Sequence, residues 1–258
     1  MQYFNKFNKP FSINDIMKYK RGSHVGVVLS FLIFITFLFF LYVTVAPAIK
    51  IKEDKKFILN YLKIELIKKL SEDLTSITIV IDKTVEEGCV ELEDFTKEVL
   101  VNSTLIVKDN IGNILEAQIS QNNRDLFINR GDNKTDFFKI HVSKEFDEIE
   151  EGSMNQCEKL EKDDEGYKIG SIKVTKYLFE TKIIELKNLS DYDYDSLKKD
   201  LNISGGNEFG FDFIYDNGTI IETKTGETKT NIYIEEIPVQ YIDKEANILQ
   251  GIIRIKVW

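Results

Sequence analysis

The sequence predicts an α+β protein in which a long N-terminal transmembrane helix precedes a β-rich soluble domain, sandwich-like or built on an antiparallel sheet. Three observations carry this expectation. Val25–Ala46 is an apolar run without a charged side chain. Beyond Thr75 the hydrophobic period falls from that of a helix to that of a strand. The charge is also unevenly shared: residues 1–24 carry +4, whereas the whole chain of 258 residues carries −9, which leaves −13 for the remainder. With 43% hydrophobic residues the chain can bury a sizeable core in one or two domains.

Residues 1–24 read as a basic tail or leader, with Lys6, Lys9, Lys18, Lys20 and Arg21 set against Asp15. Residues 25–48 read as the transmembrane helix. Its charge-free core has only Ser30, Thr36 and Thr44 as aliphatic hydroxyls. As a helix that core rises about 33 Å, enough for a hydrocarbon layer of about 30 Å. Five phenylalanines and the lack of a polar face separate it from the striped helix of a soluble core. Pro47 is expected to kink or end it. Residues 49–74 read as a juxtamembrane helix: Ile58, Leu62, Leu66, Leu70 and Leu74 form a four-spaced row flanked by Phe57, Tyr61 and Ile64. That coverage is too wide for a solvated spacer, so the helix is expected to pack on the soluble domain.

Residues 75–258 form the β-rich domain. Ile77, Ile79 and Ile81 alternate with Thr78, Val80 and Asp82. Leu105–Val107 and Ile114–Ala117 bracket a turn at Asp109-Asn-Ile-Gly-Asn113, and Leu126–Ile128 and Phe137–Val142 bracket a second at Arg130-Gly131-Asp132. Phe209, Phe211 and Phe213 lead into Asp216-Asn217-Gly218 and Thr219–Glu222, a hairpin pattern; Ile232–Val239 and Ile248–Val257 supply the last strands. One short helix is expected at Asp193–Leu201, capped by Ser190 or Asp191. The charge-rich stretch Lys144–Asp164 reads as a surface loop or insertion.

The composition excludes several functions. An acidic soluble domain with no basic stripe repels phosphate backbones, so nucleic acid is not an expected partner. His24 and His141 are the two histidines and lie far apart in sequence, which leaves no cluster for a transition metal. Nucleophile-elbow, phosphate-loop and dinucleotide fingerprints are absent. Asp191, Asp193 and Asp195 have the spacing of a calcium loop, but Ser196 stands where such loops need glycine and Asn202 where they need glutamate. Acids at a helix N-terminus explain them more simply. Neither a cofactor nor an enzymatic activity is expected.

Lys18, Lys20 and Arg21 before the apolar run are balanced by Lys50, Lys52, Lys55 and Lys56 after it, so charge alone does not orient the helix. Two features favour an extracytoplasmic C-terminal domain. Five glycosylation sequons begin at Asn102, Asn133, Asn188, Asn202 and Asn217. The two cysteines, Cys89 and Cys157, both fall in this domain and are candidates for one disulfide, although two unrelated thiols are the plain alternative. A bridge would close a loop of about 70 residues and contribute about 4 kcal/mol.

Lys18-Tyr-Lys-Arg21-Gly22, followed by Ser23-His-Val-Gly-Val-Val-Leu-Ser-Phe, resembles the class III signal of archaeal type IV pilin-like proteins. The resemblance implies peptidase cleavage between Gly22 and Ser23, and an apolar helix that anchors the subunit and then packs against copies of itself or other pilin-like subunits. It also implies a long helix carrying a β-rich head, and a helix-kinking proline near Pro47. The glutamate found five residues into mature bacterial pilins is missing here, where Val27 stands. Two readings follow: a pilin-like or pseudopilin-like surface subunit, or an envelope binding module anchored permanently without leader cleavage. Membrane lipid is a partner in both.

Overall fold

The structure, a computed structural model, describes residues 24–81, 85–99, 103–122, 124–131, 134–162, 166–203, 206–223 and 231–258. The chain divides into two compact units, Met1–Asp54 and Lys55–Trp258. Helix α1 (His24–Leu70) begins in the first and ends in the second. Pro47 lies inside α1 and does not end it. In the first unit no helical residue is buried. The Thr36 hydroxyl donates to the Ile33 carbonyl at 2.9 Å, and Thr44 to the Phe40 and Leu41 carbonyls at 2.9 and 3.0 Å. These polar groups are therefore satisfied within the helix.

The second unit is α+β. From Lys55 onward α1 buries one stripe, Leu59, Leu62, Leu66 and Leu70. The expected juxtamembrane helix reaches residue 74, but the observed one stops at Leu70. The Ser71 hydroxyl caps the last turn by donating to the Ile67 carbonyl at 2.6 Å. Ser71 then starts strand β1 (Ser71–Ile81), whose ladder already pairs Ser71 with Leu178 and Leu74 with Thr175. Cross-strand pairing overrides the local helical pattern there, and Leu74 moves into a different cluster from Leu70.

After β1 come β2 (Cys89–Leu92), α2 (Phe95–Val99), β3 (Thr104–Lys108), β4 (Ile114–Leu115), β5 (Ala117–Ile119), β6 (Leu126–Asn129), β7 (Phe137–Ser143), β8 (Glu158–Leu160) and β9 (Tyr167–Phe179). The chain closes with α3 (Glu180–Tyr192), α4 (Tyr194–Asp200), β10 (Phe209–Tyr215), β11 (Ile220–Glu222), β12 (Tyr233–Ile242) and β13 (Ile248–Val257). One sheet has nine strands in the order β11-β10-β13-β12-β9-β1-β7-β3-β4, and the other four in the order β5-β6-β2-β8. Both are mixed rather than purely antiparallel, because β12 runs parallel to β9 and β2 parallel to β8.

Each half of the large sheet has its own core. In the β10–β13–β12 half, Phe209, Phe211 and Phe213 stand opposite Val257, Ile255 and Ile253, and all six pack with the α1 leucines, Ile183 and Leu186 of α3, and Leu197 of α4. In the β1–β7–β3 half, Ile77, Ile79, Phe138, Ile140, Leu105 and Val107 pack against Val90, Leu92, Leu126 and Ile128 of the small sheet. Five buried residues, Leu74, Phe146, Phe179, Ile242 and Ala246, form a third, smaller cluster.

Three hairpins share one design. At Asp109–Asn113, Tyr215–Thr219 and Asp243–Asn247 the first residue's N–H donates to the fifth residue's carbonyl, and the fourth residue is left-handed: Gly112 at φ 101°, Gly218 at 81° and Ala246 at 57°. The first and third also share the Asp-x-x-x-Asn chemistry. Asp109 Oδ1 accepts the N–H groups of Ile111, Gly112 and Asn113, and Asp243 Oδ1 those of Glu245 and Asn247. Each aspartate also accepts its asparagine's side-chain amide, at 2.9 and 2.8 Å.

The second expected turn is not a hairpin. β6 and β7 belong to different sheets, so Asn129–Asp136 carries the chain from one sheet to the other. Lys144–Asp164 is not simply a surface loop either. It buries Phe146 and contributes β8 to the small sheet.

Candidate membrane anchor

One helix among the described residues, α1, is long and apolar enough to cross a membrane, and the apolar window that qualifies it has no buried residue. Val25, Leu29, Phe31, Ile33, Phe37 and Phe40 are exposed at 55–72%. A soluble helix turns apolar residues inward. This stretch offers them on every side, the distribution that suits an apolar surrounding.

The proposed processing pair, Gly22 and Ser23, lies outside the described residues, as do Asn102 and Asn133 of the sequons and Asp132 of the Arg130-Gly131-Asp132 triplet. The other three sequon asparagines are exposed. Asn217 sits at the tip of the β10–β11 hairpin, where its Oδ1 accepts the Thr219 N–H at 2.9 Å. Asn202 follows α4 in a left-handed conformation, φ 50°, and Asn188 lies within helix α3. Cys89 and Cys157 are joined by a disulfide, Cα–Cα 4.4 Å. It links the start of β2 to the residue before β8, at one end of the small sheet.

Arg130 is a core residue rather than part of an exposed turn. It is 2% exposed. Its guanidinium donates to the carbonyls of Val85, Glu87, Lys134 and Thr135 at 2.8–3.0 Å and pairs with the Asp136 carboxylate. The five donors of arginine in this way hold the crossover between the sheets. Asp191, Asp193 and Asp195 do not converge on a cation: Asp191 pairs with Lys187 at 2.7 Å, and Asp193 caps α4 by accepting the Ser196 N–H at 3.1 Å. The cap is Asp193, not Ser190 or Asp191, because α3 runs through both of those positions. Among the described residues no group of three or more His, Cys, Asp or Glu side chains could hold a metal ion.

Three buried polar sites were not legible beforehand. Burial pushes His141 down to about 4, and the cations of Lys108 and Lys139 push the same way; its Nδ1 lies 3.0 Å from the Ser76 hydroxyl. Lys108 is itself buried, which lowers its pKa, and it donates to Asn247 Oδ1 at 2.7 Å, tying the start of one Asp-x-x-x-Asn turn to the end of the other. Asp212 is fully buried with Lys256 Nζ at 2.6 Å and Arg254 Nη1 at 3.6 Å. Neither of its oxygens has a well-directed hydrogen bond, so the flanking cations balance its charge by proximity. Alternation does mark position 212 as out of phase with the three phenylalanines, but nothing in the pattern indicates that this second face is covered.

Compared with known protein families, curated proteins and solved structures, the chain matches none of them.

Proposed function

We propose that the protein is a single-pass membrane protein that displays its β-rich unit on the extracytoplasmic side. The observation that carries this reading is the unburied, all-round apolar surface of α1 before Asp54. The Cys89–Cys157 disulfide and the exposed sequon at Asn217 favour an oxidising, external compartment for the other unit. Within this reading the protein is a pilin-like or pseudopilin-like surface subunit, supported by the basic Lys18–Gly22 segment ahead of an apolar helix and by a β-rich head that buries the last turns of the same helix. A subunit that leaves lipid to pack against copies of itself gains from losing its basic leader, because drawing lysine and arginine into hydrocarbon costs about 3 kcal/mol each.

Two measurements test it. Membranes of the native host washed with alkaline carbonate should retain the chain, and its release with peripheral proteins contradicts anchoring. Mass spectrometry of the retained protein should find Ser23 as its first residue. A chain that starts at Met1 or Gln2 instead identifies a permanently anchored envelope module.

A further inference from the structure

The nine-stranded sheet is not continuous. β9 and β12 pair only at Tyr241–Leu178 and Ile242–Phe179, where they run parallel. Toward their N-termini the two strands part. Ile169 and Ile172–Tyr177 of β9 pair with β1 alone, Gly170 and Ser171 falling at a shift in the register, and residues 233–240 of β12 pair with β13 alone. Two strand edges from one sheet thus flank a gap that no described strand fills, and among the described residues no backbone group of Ile169–Lys176 bonds to anything other than β1. An edge of this length is a template for another strand unless the sequence blunts it.

The two edges differ. β12 is blunted by Pro238, which has no N–H to give. Its acids are already matched, Glu235 to Lys63 at 3.0 Å and Glu236 to Arg254 at 2.8 Å. β9 contains neither proline nor acid; what guards its edge is lysine, at Lys168, Lys173 and Lys176, which an acidic strand would neutralise. Ile172 and Val174 lie 59% and 60% exposed on it, on the face that carries the buried Ile77 of β1, opposite Ile172 in the ladder. Lys176 follows on that face and Lys173 projects from the other, and neither has a carboxylate partner among the described residues.

We propose that the free edge of β9 recruits an extended acidic strand from a partner protein. The unpaired backbone of residues 169–176 supplies the hydrogen bonds and selects an extended segment. Ile172 and Val174 select apolar side chains beside them, and Lys173 and Lys176 select carboxylates on the two faces. Antiparallel self-pairing about Ile172 would set Lys168 opposite Lys176, so a second copy of β9 in that register is a poor occupant. The proposal does not depend on which side of a membrane the unit occupies.

The test uses the full chain in detergent micelles and three end-blocked, fluorescent decapeptides. One presents valine, valine and glutamate in succession on one face and glutamate on the other, to match Ile172, Val174 and Lys176 and, opposite them, Lys173; the second has lysine for each glutamate, and the third is the first with every amide N-methylated. The chain should bind the glutamate peptide at least about tenfold more tightly than the lysine peptide, and full N-methylation should abolish binding because it removes the donors along both peptide edges. Lys173→Glu/Lys176→Glu, two exposed substitutions, should invert the preference between the first two peptides. Equal binding of the N-methylated peptide, no binding of the glutamate peptide, or an unchanged preference in the double variant overturns the proposal. Self-association of the unmodified chain that the double variant loses assigns the edge to a second copy and overturns it as well.

Discussion

The two stretches of α1 have similar secondary structure and opposite surroundings. Before Asp54 its apolar residues cover every side and none is buried; from Lys55 on they form one stripe, with Leu59, Leu62, Leu66 and Leu70 buried against β10, β12 and β13 and with Phe57 and Ile64 left exposed at 73% and 63%. Helix formation is therefore common to both stretches, and the distribution of apolar side chains around the axis decides what each needs as a neighbour. A full circumference needs lipid or other helices, whereas a stripe needs a folded domain.

The contrast breaks most readily by truncation. Leu66→Ala should destabilise the β-rich unit by about 2–5 kcal/mol, while Leu38→Ala should change that stability by less than about 0.5 kcal/mol. Urea unfolding of the full chain in detergent, followed by Trp258 fluorescence, measures both. Equal losses would mean that the first stretch is also part of a packed core.

The disulfide should rank next. Cys89→Ser/Cys157→Ser opens a loop of 68 residues' separation and should cost about 2–4 kcal/mol in the same assay. No change in stability would show that the small sheet is held by its hydrophobic core alone.

His141 gives a loss of about 3 kcal/mol that is spread over pH. Its pKa falls from an unfolded value of 6.5 to about 4 because burial, then Lys108 and Lys139, disfavour the charged ring. Below pH 6.5 the unfolded chain takes up a proton that the native chain refuses, so stability declines as pH falls and the loss is complete near pH 4, on the order of 3 kcal/mol. Above pH 6.5 the term vanishes. His141→Gln should remove this part of the acid sensitivity, so the wild-type and variant stability curves should converge in shape above pH 7 and separate below 6. Parallel curves throughout would place a charged imidazole in the native state.

The smallest effect concerns the hairpins. Gly112 is left-handed with open space around its missing Cβ, so Gly112→Ala should cost about 1 kcal/mol for conformational reasons alone. A neutral result would mean that the turn relaxes to another type.

Much of this architecture was legible in the sequence because it rests on local rules. Apolar continuity marked Val25–Ala46, four-residue spacing marked Leu62, Leu66 and Leu70, and Asp109–Asn113 and Asp216–Gly218 carried their own turn chemistry. What was missed depends on distant partners. Leu74 continues the helical spacing, but its strand pairs with β9 about a hundred residues away in sequence. Helix α3 was not expected, although Ile183, Leu186 and Ser190 lie on one face and Lys187–Asp191 is an i,i+4 pair, because its apolar residues also fit a strand. Arg130 looked like a turn residue until the carbonyls of Val85 and Glu87 were brought to it by the fold. The edge of β9 could not be read at all, since an unpaired strand has the same sequence signature as a paired one.

Protease treatment of intact host cells, with a tag after Trp258, tests the central claim most directly. The anchored, external arrangement predicts that the tag is lost while cytoplasmic controls survive, and that a membrane-retained fragment containing Val25–Ala46 remains. A tag that stays protected together with the controls, on a full-length chain, would place the β-rich unit inside the cell and contradict the account.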